Sequence, residues 1–267
     1  MLGKLIKNEF KATSRNYIPI YIVMLVVTVF MKILMEIQDS ANGTFADSKL
    51  IDILAGISIV TFVIAIMAVI FGTMVLIIKR FYDNMLKDEG YLSFTLPVTT
   101  GQHIVGKALT SYVWVLCSGV VILLSIFILL LGDGAVFTEI GNTIKELLRG
   151  INAYGLWGYV VEFIVLIVLG IYTNIMLAYT CMSVGQNFNK HRVAGAFITY
   201  IAIYMITQIL NSIFMSVLLG INFDEEMTMM SGFFQPYMIY ILVLAIVEAV
   251  AFTGITYFML DRKLNLE

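Results

Sequence analysis

The run Gly101-Gln102-His103-Ile104-Val105-Gly106-Lys107-Ala108 carries the GxxxxGK spacing of a phosphate-binding loop. In such a loop, backbone amides cradle phosphates, the lysine reaches the β and γ positions, and a Ser or Thr hydroxyl ligates magnesium. Ala108 stands where that hydroxyl belongs. The motif also leads into a long apolar run rather than a soluble helix, so nucleotide chemistry is not expected here, and Lys107 is read as an anchor at a membrane boundary. Other reaction signatures are incomplete in the same way. There is no HExxH, and Glu225-Glu226 is followed by Met230 where EExxxR needs Arg. Leu130-Leu131-Gly132-Asp133 lacks the first glycine of the GxGD partner that Tyr82-Asp83 would need. His103 and His191 are read as solvated loop residues. Cys117 and Cys181, 64 positions apart in apolar runs, are read as packing residues without a disulfide or a metal. No catalytic residue is assigned, and the chain is not expected to be an enzyme.

A second group of residues raises a transport chemistry instead. Lys32, Glu162 and Glu248 are ionisable residues inside long apolar segments, joined by the amides Gln208 and Asn211. A charge at the centre of a membrane costs about 2.5 to 3.5 kcal/mol on insertion scales, so each needs a reason to be there. One reading is structural: Lys32 snorkels or pairs with Glu36 or Glu162, and the carboxylates glue helices or are protonated in place. The other is that Glu162, Gln208, Asn211 and Glu248, with Lys32, line a translocation path. Both stay open at this point.

The elements that must position these groups follow from composition. The 267 residues are 60% hydrophobic and only 13% charged, with a mean hydropathy of +0.95, whereas a soluble domain has about 25% charged residues. A soluble enzyme, a nucleic-acid binder and a disordered chain are excluded. A bilayer core of about 30 Å takes roughly 20 helical residues. Six segments reach that length, at 17–37, 51–78, 108–131, 154–184, 193–219 and 237–260. This predicts an all-α integral membrane protein in a single domain over 1–267. Twelve of the sixteen basic residues (Lys4, Lys7, Lys11, Arg15, Lys79, Arg80, Lys87, Lys107, Lys190, Arg192, Arg262 and Lys263) fall on one side of that topology. The positive-inside rule then places both termini in the cytoplasm.

Between and before the spans, periodicity gives more. Leu2, Leu5, Ile6 and Phe10 oppose Lys4, Lys7 and Lys11, predicting a short interfacial helix ahead of the first span. Phe137, Ile140, Ile144, Leu147, Leu148 and Ile151 predict an amphipathic helix on the outer surface. Segment 220–236 combines Asp224, Glu225 and Glu226 with methionines and phenylalanines, an acidic and apolar cap before the last span. Sixteen Met, 18 Phe and 14 Tyr provide adaptable apolar surface, although most of it must face lipid or neighbouring helices.

The cytoplasmic loop 79–107 is longer than a connector between adjacent helices requires. It holds Phe81, Tyr82, Tyr91, Phe94, Asp88, Glu89 and Pro97. Asp83 to Glu89 can continue the second span as helix, Gly90 can end it, and Pro97 stops further helix. A short helix followed by an aromatic turn suits insertion into a partner's groove. Here the run Glu89-Gly90-Tyr91-Leu92-Ser93-Phe94-Thr95-Leu96-Pro97-Val98-Thr99 resembles the DEGYLxFTLPVS segment of ABC-2 type permeases from Gram-positive bacteria. Leu5 to Arg15 resembles the KxEFKxxxR start of the same family.

This resemblance spans the chain and implies a type V exporter-like transmembrane domain, with a coupling helix in which Asp88, Glu89, Gly90, Tyr91, Leu92, Phe94, Thr95, Leu96 and Pro97 dock a separate ATPase. Two permeases, identical or related, and two ATPase subunits would form one transporter in the bacterial plasma membrane. ATP and magnesium would sit on the partner, and this chain would hold no cofactor. The short loop 185–192 would be a lesser contact, and 220–236 a re-entrant outer gate. Thr99-Thr100-Gly101 departs from the Ser-plus-basic pattern of relatives. Those relatives export drugs, antimicrobial peptides or amphipathic toxins such as phenol-soluble modulins, and an amphipathic peptide is the substrate expected here. The alternatives are an ATP-independent secondary transporter or channel, which would need midplane helix breaks, and a membrane immunity protein that sequesters peptides.

Overall fold

The computed structural model describes residues 2–41, 49–87, 90, 98–132, 134–188, 191–221 and 234–262. Within them the secondary structure is seven α-helices: α1 (Leu2–Ala41), α2 (Lys49–Met85), α3 (Thr100–Leu130), α4 (Gly134–Ala153), α5 (Trp157–Gly185), α6 (Arg192–Ile221) and α7 (Gln235–Arg262). All but α4 are long and apolar enough to cross a membrane. Large apolar side chains stand exposed along these helices, among them Val26 at 62%, Leu123 at 67% and Val250 at 69%. A surface of that kind is stable against lipid and not against water. The chain has the architecture of a multi-pass, all-α membrane protein.

The helices divide into two compact units, one of residues 3–77 and 109–154, the other of residues 78–108 and 155–267 together with the first two residues. In the first unit, Met24, Met31, Phe62 and Val69 form the core, backed by Ile20, Ile66, Val121 and Leu129. Hydroxyls tie its helices together. Ser118 Oγ of α3 lies 2.7 Å from both Tyr21 Oη of α1 and Thr73 Oγ1 of α2. Trp114 Nε1 donates to Thr13 Oγ1 at 2.8 Å, and its ring stacks on Tyr17 at 4.4 Å and on Phe10 at 4.8 Å.

These contacts correct the expectation of a separate N-terminal interfacial helix. Phe10, Thr13, Tyr17, Tyr21, Met24, Thr28 and Met31 recur at helical spacing as one stripe, and the helix runs through it unbroken from Leu2 to Ala41. Pro19 lies inside this helix, where it removes one backbone donor without ending it. The helix of the second span continues past its apolar run to Met85, within the extension anticipated from Asp83, and that of the third span starts earlier than expected, at Thr100. Of the 29 residues assigned to the loop, 79–85 thus belong to α2 and 100–107 to α3. The amphipathic helix anticipated around 137–151 is α4.

Candidate functional site

The unit of residues 78–108 and 155–267 contains most of the residues singled out for function. In it α5 packs against both α6 and α7. At one end, α5 and α6 meet backbone to backbone. A Cβ on Gly185 would lie 2.7 Å from both Ala196 N and Arg192 O, so only glycine permits the approach. The Phe188 ring covers Gly195 beside it. Hydroxyls join α5 to α7: Thr180 Oγ1 donates to the Phe252 carbonyl at 3.0 Å and lies 3.0 Å from Thr256 Oγ1. Tyr172 Oη and Thr253 Oγ1 are 2.9 Å apart.

Onto this end are clamped the two stems of the expected docking loop. Phe81, on the last turns of α2, stacks on Tyr179 of α5 with ring centroids 4.0 Å apart. Tyr179 Oη donates to the Lys107 carbonyl at the start of α3, at 3.3 Å. Thr100 Oγ1 donates to Asp261 Oδ1 at 3.4 Å, and Gly101 faces the Tyr257 ring. Phe81, Met85, Leu86, Ile104, Met176 and Tyr179 are each at most 2% exposed. The stems are thus among the most buried parts of the chain, held by aromatic stacking and by apolar residues at i, i+4 spacing.

Several expectations change here. Phe81 is a core residue rather than part of a docking surface, because the helix of the second span continues past it. His103 is 2% exposed and so is not the solvated loop residue expected, and Lys107, read as a boundary anchor, is 5% exposed; α3 begins at Thr100 and turns both inward. Gly101 to Lys107 is helical throughout, so the phosphate-loop geometry is absent. Asp83 to Met85 does continue the second span, but Leu86 forms a turn and Lys87 a bend, with Lys87 Nζ 2.7 Å from Asp83 Oδ1. Gly90 is buried and its N–H donates to the Lys87 carbonyl at 2.7 Å. Asp88, Glu89, Tyr91, Leu92, Phe94, Thr95, Leu96 and Pro97 lie outside the described residues, as does 222–233 of the expected acidic cap.

The other end of this unit holds the polar groups of the expected path. Glu248 of α7 accepts a hydrogen bond from Thr207 Oγ1 of α6 at 3.2 Å. Two turns along, Phe214 stacks on Tyr240 at 3.8 Å, so the two helices run antiparallel with Asn211, half-buried, on the same seam. Gln208 is exposed and points off that seam. Glu162 of α5 is half-buried, with Oε2 enclosed and without a hydrogen-bond partner. Lys32 belongs to the first unit, where its Nζ donates to the Leu129 carbonyl at 3.3 Å and lies 3.7 Å from Glu36 Oε1. That is the pairing with Glu36 rather than with Glu162. Thr207 was not marked by the sequence, because a threonine in an apolar helix has no signal of its own until its partner is placed.

Among the described residues, no three His, Cys, Asp or Glu side chains come together as a metal site. Comparison with family models, with curated proteins and with solved structures found no match to this chain.

Proposed function

We propose that this chain is the permease subunit of an ATP-driven exporter of the ABC-2 type, set in the bacterial plasma membrane with both termini in the cytoplasm. A cytoplasmic ATPase subunit docks on the loop between Lys87 and Thr99, contacting Asp88 to Pro97. ATP and magnesium bind to that subunit. Two copies of it, with two permeases of this type, make the working transporter, and amphipathic peptides are its first-choice cargo, hydrophobic drugs the second. The chain itself performs no covalent chemistry.

The observation that carries this reading is the clamp on both stems of the loop. Joining two spans takes only a few residues, whereas both stems of this loop are buried against a third helix. Here Phe81 and the Lys107 carbonyl are both held by Tyr179 of α5, so a force applied to the loop is delivered to α5. Through the α5–α7 hydroxyl contacts it reaches α7, which carries Glu248. The resemblance of residues 89–99 to a coupling segment supports the same assignment.

Affinity purification of the full chain in mild detergent from its native membrane tests it. The expected result is co-purification of an ATPase subunit bearing a complete phosphate-binding loop, in equal molar amount. Isolation of the chain without any ATPase, together with transport in vesicles driven by an ion gradient alone, refutes it.

A further inference from the structure

The helix α4 contains no buried residue, yet its side chains are sorted. Ile140, Ile144, Leu147, Leu148 and Ile151 share one face, and Glu139, Asn142, Lys145, Glu146 and Arg149 the other. Ile144 is 51% exposed and Leu147 60%, so this apolar face is not covered by its own unit.

Covalent reach limits where the helix can lie. Twenty residues make a rod about 30 Å long. Three residues join it to α3 and three to α5, and each such link spans about 10 Å at most. Because α3 and α5 are consecutive crossing helices, both links start at the same face of the membrane. An upright α4 would put one end about 30 Å away from that face, beyond the reach of a link. The helix therefore lies along the membrane plane. Its roll is fixed independently: Phe137, on the apolar face, meets Phe127 near the end of α3 edge-on at 5.6 Å. The apolar face is thereby turned toward the crossing helix and the bilayer beside it. Tyr154, 80% exposed at the end of α4, and Trp157, 50% exposed at the start of α5, are the residue types that sit at headgroup level.

We infer that α4 is an interfacial helix whose apolar face rests in the lipid headgroup and acyl boundary of the leaflet where α3 ends and α5 begins. Within the helix, Glu139 and Glu146 balance Lys145 and Arg149. The attachment is driven by apolar area and does not select anionic lipid, unlike basic amphipathic anchors. This inference depends on the six-span architecture and not on the exporter reading.

Spin-label accessibility on the full-length chain in vesicles tests it. Nitroxide is attached to Ile144→Cys, Leu147→Cys, Asn142→Cys or Glu146→Cys, with the labelled wild-type chain subtracting any signal from Cys117 and Cys181. All four sites are exposed, so labelling removes no packing. The expected result is a severalfold higher ratio of collisions with oxygen to collisions with an aqueous nickel chelate at positions 144 and 147 than at 142 and 146. That contrast should be unchanged between pure phosphatidylcholine vesicles and vesicles containing phosphatidylglycerol. Equal ratios on both faces overturn the lipid seat. Low accessibility to both reagents at 144 and 147 also overturns it, since the face is then covered by protein. A contrast that appears only with phosphatidylglycerol overturns the apolar mechanism.

Discussion

The end of the bundle that carries Phe81, Tyr179 and Lys107 and the end that carries Glu162, Gln208 and Glu248 use the same helices, α5, α6 and α7, packed to different depths. Along α5, every buried residue falls between Thr173 and Gly185. That half offers small and hydroxylated side chains, Thr173, Thr180, Ser183 and Gly185, which allow close approach and hydrogen bonding between helices in lipid. The preceding half offers Val160, Val161, Ile164, Val165, Ile167 and Val168, which face outward or remain half exposed. In a membrane, where apolar surface alone does not draw helices together, the small and hydroxyl residues decide which end closes. The closed end also receives the loop stems; the looser end holds carboxylates with few partners. Under the proposed function, the closed end is the place that receives force and the looser end the place that responds.

The sharpest way to break the contrast is at the clamp. Phe81→Ala empties a ring-sized space under Tyr179 and should lower the stability of the detergent-solubilised chain by about 3 to 5 kcal/mol, measured by chemical unfolding in mixed micelles. A change below 1 kcal/mol would mean that the stems are not held as described. Gly185→Ala comes next. Its methyl group meets backbone atoms of α6 that cannot swing aside, so a loss of about 1 to 3 kcal/mol is expected. At Gly195 the nearest atoms are those of the Phe188 side chain rather than backbone, and Phe188 is 45% exposed, so Gly195→Ala should unfold measurably later than Gly185→Ala in the same assay.

Substitutions at the looser end should be smaller in stability and larger in transport. Thr207→Val removes the hydrogen bond to Glu248, for which about 0.6 kcal/mol is the average in membrane proteins. Glu162→Gln replaces a carboxyl group whose enclosed oxygen has no hydrogen-bond partner, and should leave stability unchanged or slightly raised. If these residues line the path, Glu162→Gln and Glu248→Gln reduce peptide efflux from reconstituted vesicles although both variants assemble normally. Wild-type efflux in both would assign the carboxylates to helix packing alone.

Much of this architecture is legible in the amino-acid order. Hydropathy locates all six crossing helices, and a 3.6-residue period locates α4. The pairing of Lys32 with Glu36 follows from i, i+4 spacing. What hydropathy misses is where a helix ends once it leaves the apolar run. Lys79 and Arg80 interrupt the run, yet Ile77, Phe81 and Met85 continue the buried stripe, so α2 extends to Met85. His103 reads as solvated because it is polar and adjoins a Pro-Gly region, and Lys107 reads as a boundary anchor, but tertiary packing turns both inward. The N-terminal segment has a charged face that suggested an interfacial helix, while its aromatic stripe continues across Pro19 and holds it in line with α1. The seam of Thr207 and Glu248 depends on the register of two helices, which no local pattern encodes.

The proposed docking of an ATPase subunit between the clamped stems is tested most directly at Phe94, which lies between them in the sequence. Reconstituted complexes of wild type and Phe94→Ala, purified with their ATPase subunit, are compared for ATPase affinity and for ATP-dependent peptide export. A central aromatic anchor contributes about 2 kcal/mol or more at a protein interface, roughly 30-fold in affinity. Docking on this loop therefore predicts that Phe94→Ala weakens ATPase binding by about that factor and abolishes export while the permease stays folded. Undiminished ATPase binding and undiminished export by Phe94→Ala would contradict it.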